Sequence, residues 1–331
     1  MTAIVVVSLA LLPISVVSCA LFARTMRHRS LGQLVRETGP RSHAPKQGTP
    51  TMGGGVVLVL WILAVTALLP WWPETRRMGF VLASGAAFGG IGWLDDWLSI
   101  RKGCSKGLGV LQKLALSSFA AVGLFFLFRD IVSQPLATPF STIELILPPI
   151  ASGCLTWFVF LAATNSLNLA DGLDGLGGGI AFLILCGLLV LCPDRGQLAL
   201  VLPLLASLLG FLWMNAHPAS LFLGDVGSFG IGGIIAALAL GAGHAFLLPI
   251  LAGVLVLEAL SVFVQVILFR LRGVRVFKMA PLHHHFEASA APEGRTCLLR
   301  GAEWPETHVT ARLLIVQMLF VALALWAGWP W

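Results

Sequence analysis

The amino-acid sequence predicts an all-α polytopic membrane protein with about ten transmembrane helices. Of its 331 residues, 57% are hydrophobic and only 11% are charged, whereas charged residues make up about 25% of an ordinary soluble domain. The apolar residues form runs close to the ~20 residues that a helix needs to cross a bilayer. The predicted spans are 3–22, 53–72, 78–94, 112–129, 144–164, 176–192, 197–214, 229–247, 248–269 and 311–329.

The first apolar run is predicted to be a membrane span and not a cleaved signal peptide. No basic residue precedes it, and Arg24, Arg27 and Arg29 follow it, which reverses the charge order of a signal peptide. The six cysteines are scattered without a C-x-x-C pair, and most lie inside apolar runs. They are therefore interpreted as small buried hydrophobic residues, and neither disulfides nor a zinc site is predicted.

Basic residues are distributed unevenly between the two ends of the predicted spans. Of the 21 Lys and Arg residues, 17 fall in segments that ten spans place on one side of the membrane. Because basic loops are retained in the cytoplasm, that side is predicted to be cytoplasmic and both termini periplasmic. The single membrane domain would then build its site from the cytoplasmic loops 24–52, 95–113, 165–175, 215–228 and 270–312.

The stretch N-S-L-N-L-A-D-G-L-D-G, residues 165–175, separates two long apolar runs. Two amides, Asn165 and Asn168, and two carboxylates, Asp171 and Asp174, are spaced three residues apart. On a helical surface, each would therefore neighbour the next. A solvated turn between two spans is the alternative, since Asn, Asp and Gly are common turn formers.

Further polar side chains fall at the same predicted boundary. Five aspartates would converge there, and their mutual repulsion requires a cation or a cationic ligand. Oxygen-rich sites of this kind favour Mg²⁺, which completes its shell with water and substrate phosphates. Lys46, Lys113 and three consecutive histidines could hold a polyanion, so the combination predicts phosphoryl transfer. The five aspartates are Asp95, Asp96, Asp171, Asp174 and Asp225.

On these motifs, the sequence resembles the phospho-N-acetylmuramoyl-pentapeptide transferases, within the polyprenyl-phosphate N-acetylhexosamine-1-phosphate transferase superfamily. The resemblance covers nearly the whole chain and implies a ten-helix fold, a homodimer and a location in the bacterial inner membrane. The matching blocks are K-Q-G-T-P-T-M-G-G at 46–54, D-D at 95–96, the stretch at 165–176, the block at 222–233, and K-M-A-P-L-H-H-H-F-E at 278–287.

The resemblance also implies a Mg²⁺-dependent reaction at the cytoplasmic face, in the first membrane step of peptidoglycan synthesis. Phospho-MurNAc-pentapeptide would pass from UDP-MurNAc-pentapeptide to undecaprenyl phosphate, giving lipid I and UMP. The expected partners are these two substrates and membrane lipid, and no nucleic acid is expected to bind.

Matched position by position, the resemblance implies a role for each polar residue of the site. Asp225 is the expected Mg²⁺ ligand. The expected catalytic residues are Asp95, Asp96, Lys113, Asp171, Asp174 and His284. The expected substrate-binding residues are Lys46, which would meet phosphate, Phe222, which would stack on uracil, and Thr51, Asn165, Asn168, Gln265, His283 and His285. Because consecutive residues point about 100° apart on a helix, Asp95 and Asp96 are not expected to do the same job.

Two features stay ambiguous at the level of sequence. Glu258 lies inside the ninth predicted span, where a carboxylate is costly and usually functional, but protonation or a bond to another helix would also account for it. We therefore do not assign it to the site. The sixteen residues 288–303 form a longer segment than the family pattern has. They are either a benign loop insertion or a change in the shape of the donor-sugar pocket.

Three other interpretations are disfavoured. A zinc site at the histidines is improbable, because consecutive histidines cannot easily all bind one tetrahedral ion. A related enzyme that transfers GlcNAc-1-phosphate would lack the M-A-P-L-H-H-H-F-E block. An ion-coupled transporter should carry its ionisable groups near the middle of the membrane, whereas here they cluster at one boundary, with Glu258 as the exception.

Overall fold

Ten long α-helices account for most of the residues that the structure describes. The structure is a computed structural model that describes residues 1–29, 46–71, 75–104, 107–287 and 297–328. Eight of the ten helices are long and apolar enough to cross a membrane, which confirms the predicted all-α polytopic membrane fold. The long helices are α1 (Thr2–His28), α2 (Gly53–Leu68), α3 (Thr75–Lys102), α4 (Val110–Leu127), α6 (Pro149–Ala170), α7 (Leu176–Leu191), α8 (Arg195–Asn215), α9 (Gly224–Gly241), α11 (Gly253–Arg272) and α13 (Glu306–Ala327).

The remaining described elements are short. A two-stranded antiparallel hairpin pairs Leu136 with Leu145 and Ala137 with Glu144. The central parts of two predicted loops, residues 30–45 and 288–296, lie outside the described residues. The short elements are the 3₁₀ turn Leu69–Trp71, α5 (Arg129–Val132), β1 (Leu136–Ala137), β2 (Glu144–Leu145), α10 (Leu248–Leu251) and α12 (Leu282–Phe286).

Three helices extend further into the polar motifs than the apolar runs indicate. Helix α3 continues to Lys102, α6 continues to Ala170, and α9 begins at Gly224. The end of an apolar run indicates where a helix leaves the hydrocarbon core of the membrane. The helical backbone hydrogen bonds can continue beyond that point, as long as the side chains outside the membrane permit a helix. In α3, for example, Trp93 and Trp97 stack with their ring centroids 6.0 Å apart. The polar motifs therefore lie on the ends of rigid helices.

The predicted separation of the spans 229–247 and 248–269 is confirmed, and the turn between them begins earlier, after Gly241. Helix α9 ends at Gly241, and Gly243 adopts φ +73° in the turn that follows. An added Cβ at Gly243 would lie 2.7 Å from the carbonyl oxygen of Pro135, so the turn also packs against the segment that leads to β1. The chain then forms α10 and α11 as separate helices.

Helix α9 lies at the centre of the bundle, and glycines bring two neighbouring helices against its first turns. Sixteen of its 18 residues are buried. An added Cβ at Gly92 of α3 would lie 2.1 Å from the carbonyl oxygen of Asp225, and one at Gly54 of α2 would lie 2.1 Å from Cα of Gly227. Helices α2 and α3 therefore approach the start of α9 at backbone distance, which places the 95–96 motif beside Asp225.

Candidate active site

Side chains from three other helices converge on Asp225, the second residue of α9. Lys113, near the start of α4, contacts Oδ2 of Asp225. Asn168, near the end of α6, donates through Nδ2 to Oδ1 of Asp225 at 2.8 Å and contacts Oγ of Ser228 at 3.0 Å. The same Lys113 ammonium lies 3.2 Å from Oδ2 of Asp95 on α3. We call Asp95, Asp96, Lys113, Asn168 and Asp225 the carboxylate cluster.

Asp95 and Asp96 are adjacent in sequence but face different neighbours. Oδ1 of Asp95 accepts a hydrogen bond from the backbone N–H of Leu108 at 2.6 Å, whereas Oδ2 of Asp96 accepts one from the backbone N–H of Val226 at 3.0 Å. Asp95 is turned toward Lys113 and the loop before α4, and Asp96 is turned toward the first turn of α9. This divergence follows from the helical turn and favours separate roles for the two carboxylates.

Asp171 directly follows α6 and lies within electrostatic reach of the cluster. Burial, and then the nearby charges of Asp225 and Asp96, raise the pKa of Asp171 well above its ordinary value. Its surroundings are tight, since an added Cβ at Gly177 would lie 2.7 Å from Oδ1 of Asp171. A cation in the cluster would favour the charged carboxylate and so lower that pKa.

Asp174 belongs to a neighbouring ion-pair network that also contains Lys46, His217 and Glu306. Its Oδ1 accepts a bond from Nζ of Lys46 at 2.8 Å, and its Oδ2 lies 2.9 Å from Nδ1 of His217 and 3.1 Å from the backbone N–H of Ala219. Lys46 also contacts Oε1 of Glu306, which accepts the backbone N–H of Asp174 at 2.7 Å. Although burial acts in the opposite direction, the bond from Lys46 holds the pKa of Asp174 below its ordinary value.

After α11, the chain folds back along that helix. The backbone N–H groups of Val276 and Phe277 both donate to Oε1 of Gln265 at 3.0 Å. Farther along, His283 contacts Glu258, which lies seven residues before Gln265 and hence about two helical turns deeper. The three histidines occupy buried positions beside α11.

Glu258 holds His283 through three contacts. Its carboxylate oxygens lie 3.1 and 3.3 Å from the backbone N–H of His283, and Oε2 lies 3.2 Å from the ring Nδ1. Both side chains are fully buried. The other ring nitrogen, Nε2, has no hydrogen-bond partner among the described residues, and an added Cβ at Gly172 would lie 2.4 Å from it. The His283 ring therefore lies against the loop between Asp171 and Asp174.

The other two histidines are also oriented by hydrogen bonds. Nδ1 of His284 lies 3.0 Å from Oε2 of Glu287. Nδ1 of His285 accepts the backbone N–H of Lys278 at 3.1 Å, so the proton of a neutral His285 ring is on Nε2. Burial, followed by the nearby charge of Lys278, lowers the pKa of His285.

The remaining predicted substrate-binding residues differ in their environment. The backbone of Phe222 pairs with the 46–54 motif, since its N–H donates to Pro50 at 2.8 Å and its carbonyl accepts from Gly53 at 2.8 Å; its side chain is half-buried. Thr51 is buried beside the same turn. By contrast, the side-chain amide of Asn165 donates to a backbone carbonyl of its own helix. The side-chain oxygen of Gln265 accepts the backbone N–H groups of the chain after α11. The substrate contacts of these residues stay predictions.

Three residues that were not predicted for the site, Glu258, His217 and Glu306, contact residues that were. For Glu258 a signal was available, because a carboxylate inside a membrane span is expensive. His217 and Glu306 carried no comparable signal, since each is a single polar residue near a helix end. Their roles follow from the contacts with Asp174, which lies 43 residues from one and 132 residues from the other.

The acidic side chains around Asp225 fit a hard divalent cation. Their donor atoms are carboxylate oxygens, the ligand type that Mg²⁺ prefers. Lys113 bridges Asp95 and Asp225, and the carboxyl groups of Asp96 and Asp171 lie close enough to interact electrostatically with that of Asp225. A divalent cation at this place would offset the remaining negative charge.

A second set of ligand atoms lies within 4.8 Å of one another and belongs to Asp174, His217 and Glu306. This set fits a cation less well. The Lys46 ammonium already contacts both carboxylates, and the backbone N–H of Ala219 occupies the oxygen of Asp174 that faces His217. Two carboxylates face one ammonium here, whereas the carboxyl groups of Asp95, Asp96, Asp171 and Asp225 lie around Lys113 alone, so this network has less need of a further cation.

Comparison with known proteins shows the family of this chain. The family model described as glycosyl transferase family 4 matches residues 78–243, which include most of α3 and all of α4, α6, α7, α8 and α9. The phospho-N-acetylmuramoyl-pentapeptide-transferase of Rubrobacter xylanophilus is 38% identical over 312 residues, which cover 91% of this chain and 90% of that relative. The chain therefore belongs to the phospho-N-acetylmuramoyl-pentapeptide transferase family, within glycosyl transferase family 4.

Proposed function

We propose that this protein transfers phospho-MurNAc-pentapeptide from UDP-MurNAc-pentapeptide to undecaprenyl phosphate, giving lipid I and UMP. The observation that carries the proposal is the convergence of Asp95, Asp96 and Asp225 around Lys113 at one end of a membrane helix bundle. A site at the end of a bundle can meet a lipid phosphate from the bilayer and a nucleotide from water. The name of the Rubrobacter relative supports the choice of phospho-MurNAc-pentapeptide as the transferred group.

The proposal extends to location and assembly. By the distribution of basic residues, the site faces the cytoplasm of a bacterial inner membrane, where a soluble nucleotide donor is available. The family resemblance supports a homodimer. Both statements are proposals that accompany the activity.

Mg²⁺ is the proposed ion of the carboxylate cluster, with Asp225 as its ligand. When bound, it would neutralise charge on the donor pyrophosphate. Among the protein groups, Lys113 contacts one oxygen of Asp225 and Asn168 contacts the other. These two residues therefore hold the carboxylate in one orientation, and Lys113 offers a positive charge to the transferred phosphoryl group.

Direct attack by the lipid phosphate is the proposed mechanism. An oxygen of undecaprenyl phosphate forms a bond to the phosphorus that carries the sugar. The bond from that phosphorus to the bridging oxygen breaks, and UMP leaves with the electron pair. A phosphate monoester has a second pKa of about 6, so most of the acceptor is a dianion at neutral pH and needs orientation more than deprotonation. Asp95, beside Lys113, is placed to orient it.

The alternative is an aspartate nucleophile that forms a phospho-enzyme. Incubation of the purified protein with UDP-MurNAc-pentapeptide and no lipid acceptor separates the two mechanisms. Direct attack predicts no release of UMP under these conditions, whereas a phospho-enzyme predicts a stoichiometric burst.

The proposed activity is tested by offering undecaprenyl phosphate together with either UDP-MurNAc-pentapeptide or UDP-GlcNAc to the purified protein. We expect UMP release with the first donor only, and we expect Asp225→Asn to abolish most of it. Equal release with UDP-GlcNAc would assign the protein to the related GlcNAc-1-phosphate transferases. Release with neither donor would contradict the proposal altogether.

A further inference from the structure

Residues 297–301, which belong to the longer segment 288–303, are held against the end of α11. The backbone N–H of Leu298 donates to Arg275 at 3.0 Å, and that of Leu299 donates to Val276 at 2.9 Å. Farther on, an added Cβ at Gly301 would lie 2.3 Å from the carbonyl oxygen of His285. These contacts hold residues 297–301 in a defined position against the rest of the protein, as a simple connecting loop would not be held.

This anchored backbone nevertheless presents two exposed leucines. Leu298 is 67% exposed and Leu299 is 50% exposed. Val274, one residue before Arg275, is 37% exposed, and Leu271, in the last turn of α11, is 76% exposed. We call Leu271, Val274, Leu298 and Leu299 the apolar tip. Scattered exposed leucines are ordinary on a protein surface, but a contiguous apolar group marks a site of interaction with a partner or a membrane.

The apolar tip continues the lipid-facing side of α11. Phe263, Ile267 and Leu271 are all exposed and are spaced four residues apart, so they lie along one face of the helix. In a helix that spans a membrane, such a face contacts lipid. The tip extends this face past Gly273, where α11 ends.

Basic residues surround the tip. Arg270, Arg272 and Arg300 are exposed, and Arg275 is half-buried, with its guanidinium 4.9 Å from the ring centroid of Phe269. Arginine pairs bidentately with phosphate oxygens. Basic residues next to an apolar surface are typical of segments that bind the headgroup region of anionic membranes.

We propose that the apolar tip and its four arginines dock into the headgroup region of the adjacent leaflet and bind anionic phospholipid. The leucines would enter the boundary with the acyl chains, while the guanidinium groups pair with lipid phosphates. This docking is linked to the candidate site, because the carbonyl of Val276 accepts the N–H of Leu299 while the N–H of Val276 donates to Gln265. Lipid bound at the tip therefore stabilises the segment that leads to the histidines.

The experiment measures the depth of residue 298 by fluorescence quenching in lipid nanodiscs. The native cysteines are replaced by Ala, and a bimane probe is attached to Leu298→Cys. The matched control retains only the native Cys104, an exposed residue after α3 at the same end of the bundle. Both labelled proteins must keep the thermal unfolding midpoint of the wild type. Quenching is measured with brominated lipid and with aqueous iodide, in phosphatidylcholine discs with and without phosphatidylglycerol.

We expect brominated lipid to quench the probe at 298 several-fold more than the probe at 104, and phosphatidylglycerol to increase that difference. The triple variant Arg270→Gln, Arg272→Gln and Arg300→Gln should lose the increase, since each arginine near an anionic surface contributes on the order of five-fold to partitioning.

Iodide quenching at 298 equal to that at 104 would overturn the proposal. Lipid quenching that is the same with and without phosphatidylglycerol would overturn the assignment to anionic lipid. Protection from both quenchers would indicate contact with protein, such as a second copy of the chain, and would also overturn it.

Discussion

Single residues of the candidate site are held by partners that restrict each functional group to one orientation. Asp225 is bonded on one oxygen to Lys113 and on the other to Asn168. His283 is bonded through Nδ1 to Glu258, which leaves Nε2 directed at the loop around Gly172. Substitutions at these positions therefore distinguish a group that acts directly from one that orients another.

Asp225→Asn should retain the fold and lose activity by a factor of about 10²–10³, comparable to the loss of one preorganised electrostatic contact in an active site. The amide keeps the shape and one oxygen but removes the negative charge that a hard cation needs. Initial UMP release should recover in part when Mg²⁺ is raised or Mn²⁺ is substituted. Asp95→Asn serves as the comparison, and no metal rescue is expected there. A near-normal rate and an unchanged metal dependence in Asp225→Asn would rule out this residue as the ligand.

Glu258→Gln should lower the rate of UMP release by about 10- to 100-fold, as loss of an orienting partner commonly does, with little change in the thermal unfolding midpoint. The glutamine oxygen can still accept the backbone N–H of His283, but the amide also presents a donor to the ring and so changes its preferred tautomer. A double-mutant cycle with His283→Gln provides the control. If Glu258 acts through His283, the two losses should be strongly non-additive. Independent, multiplicative losses would contradict this role.

Among the elements, the first turns of α9 determine the geometry of the site. Glycines on α2 and α3 allow both helices to reach the α9 backbone, and the end of α6 supplies Asn168 from a third side. The carboxylate cluster thus depends on how closely these helices pack, as well as on the identity of its side chains.

Gly92→Ala should destabilise the protein by about 1–3 kcal/mol, the usual cost of overpacking, and should also lower activity. The added methyl group would lie 2.1 Å from the carbonyl oxygen of Asp225, so α3 must move away from α9. Gly90→Ala is the matched control, since it lies on the same helix and an added Cβ there meets no atom within 4 Å among the described residues. It should be neutral or slightly stabilising, because alanine is the better helix former. Equal effects in thermal unfolding would show that the close approach is unimportant.

Over the whole molecule, the proposed topology places the carboxylate cluster, the Asp174 network and the three histidines at one membrane face. A reporter fused after residue 288 should be cytoplasmic and one fused at residue 331 periplasmic, because 17 of the 21 basic residues lie in segments of the first side. Helix α13 lies between the two fusion points and is apolar enough to span a membrane. Alkaline phosphatase and fluorescent protein fusions provide the readout. Two fusions on the same side would contradict the proposed topology.

The sequence by itself determined that this is an all-α polytopic membrane protein, for which it predicted about ten spans, and it identified the motifs through which the family was recognised. Both depend on local information, since hydrophobic runs and short spaced motifs can be read along the chain. Only the tertiary structure decided which polar residues meet. Lys46 and Glu306 are 260 residues apart, yet they share a contact beside Asp174, and Lys113 reaches Asp225 across 112 residues. Likewise, Glu258 was recognisable as unusual, but its bond to His283 depends on the chain folding back along α11. Such pairs are set by the packing of helices against one another. Close contacts at glycines and the paths of the loops decide which helix ends lie together, and no single stretch of residues encodes that packing.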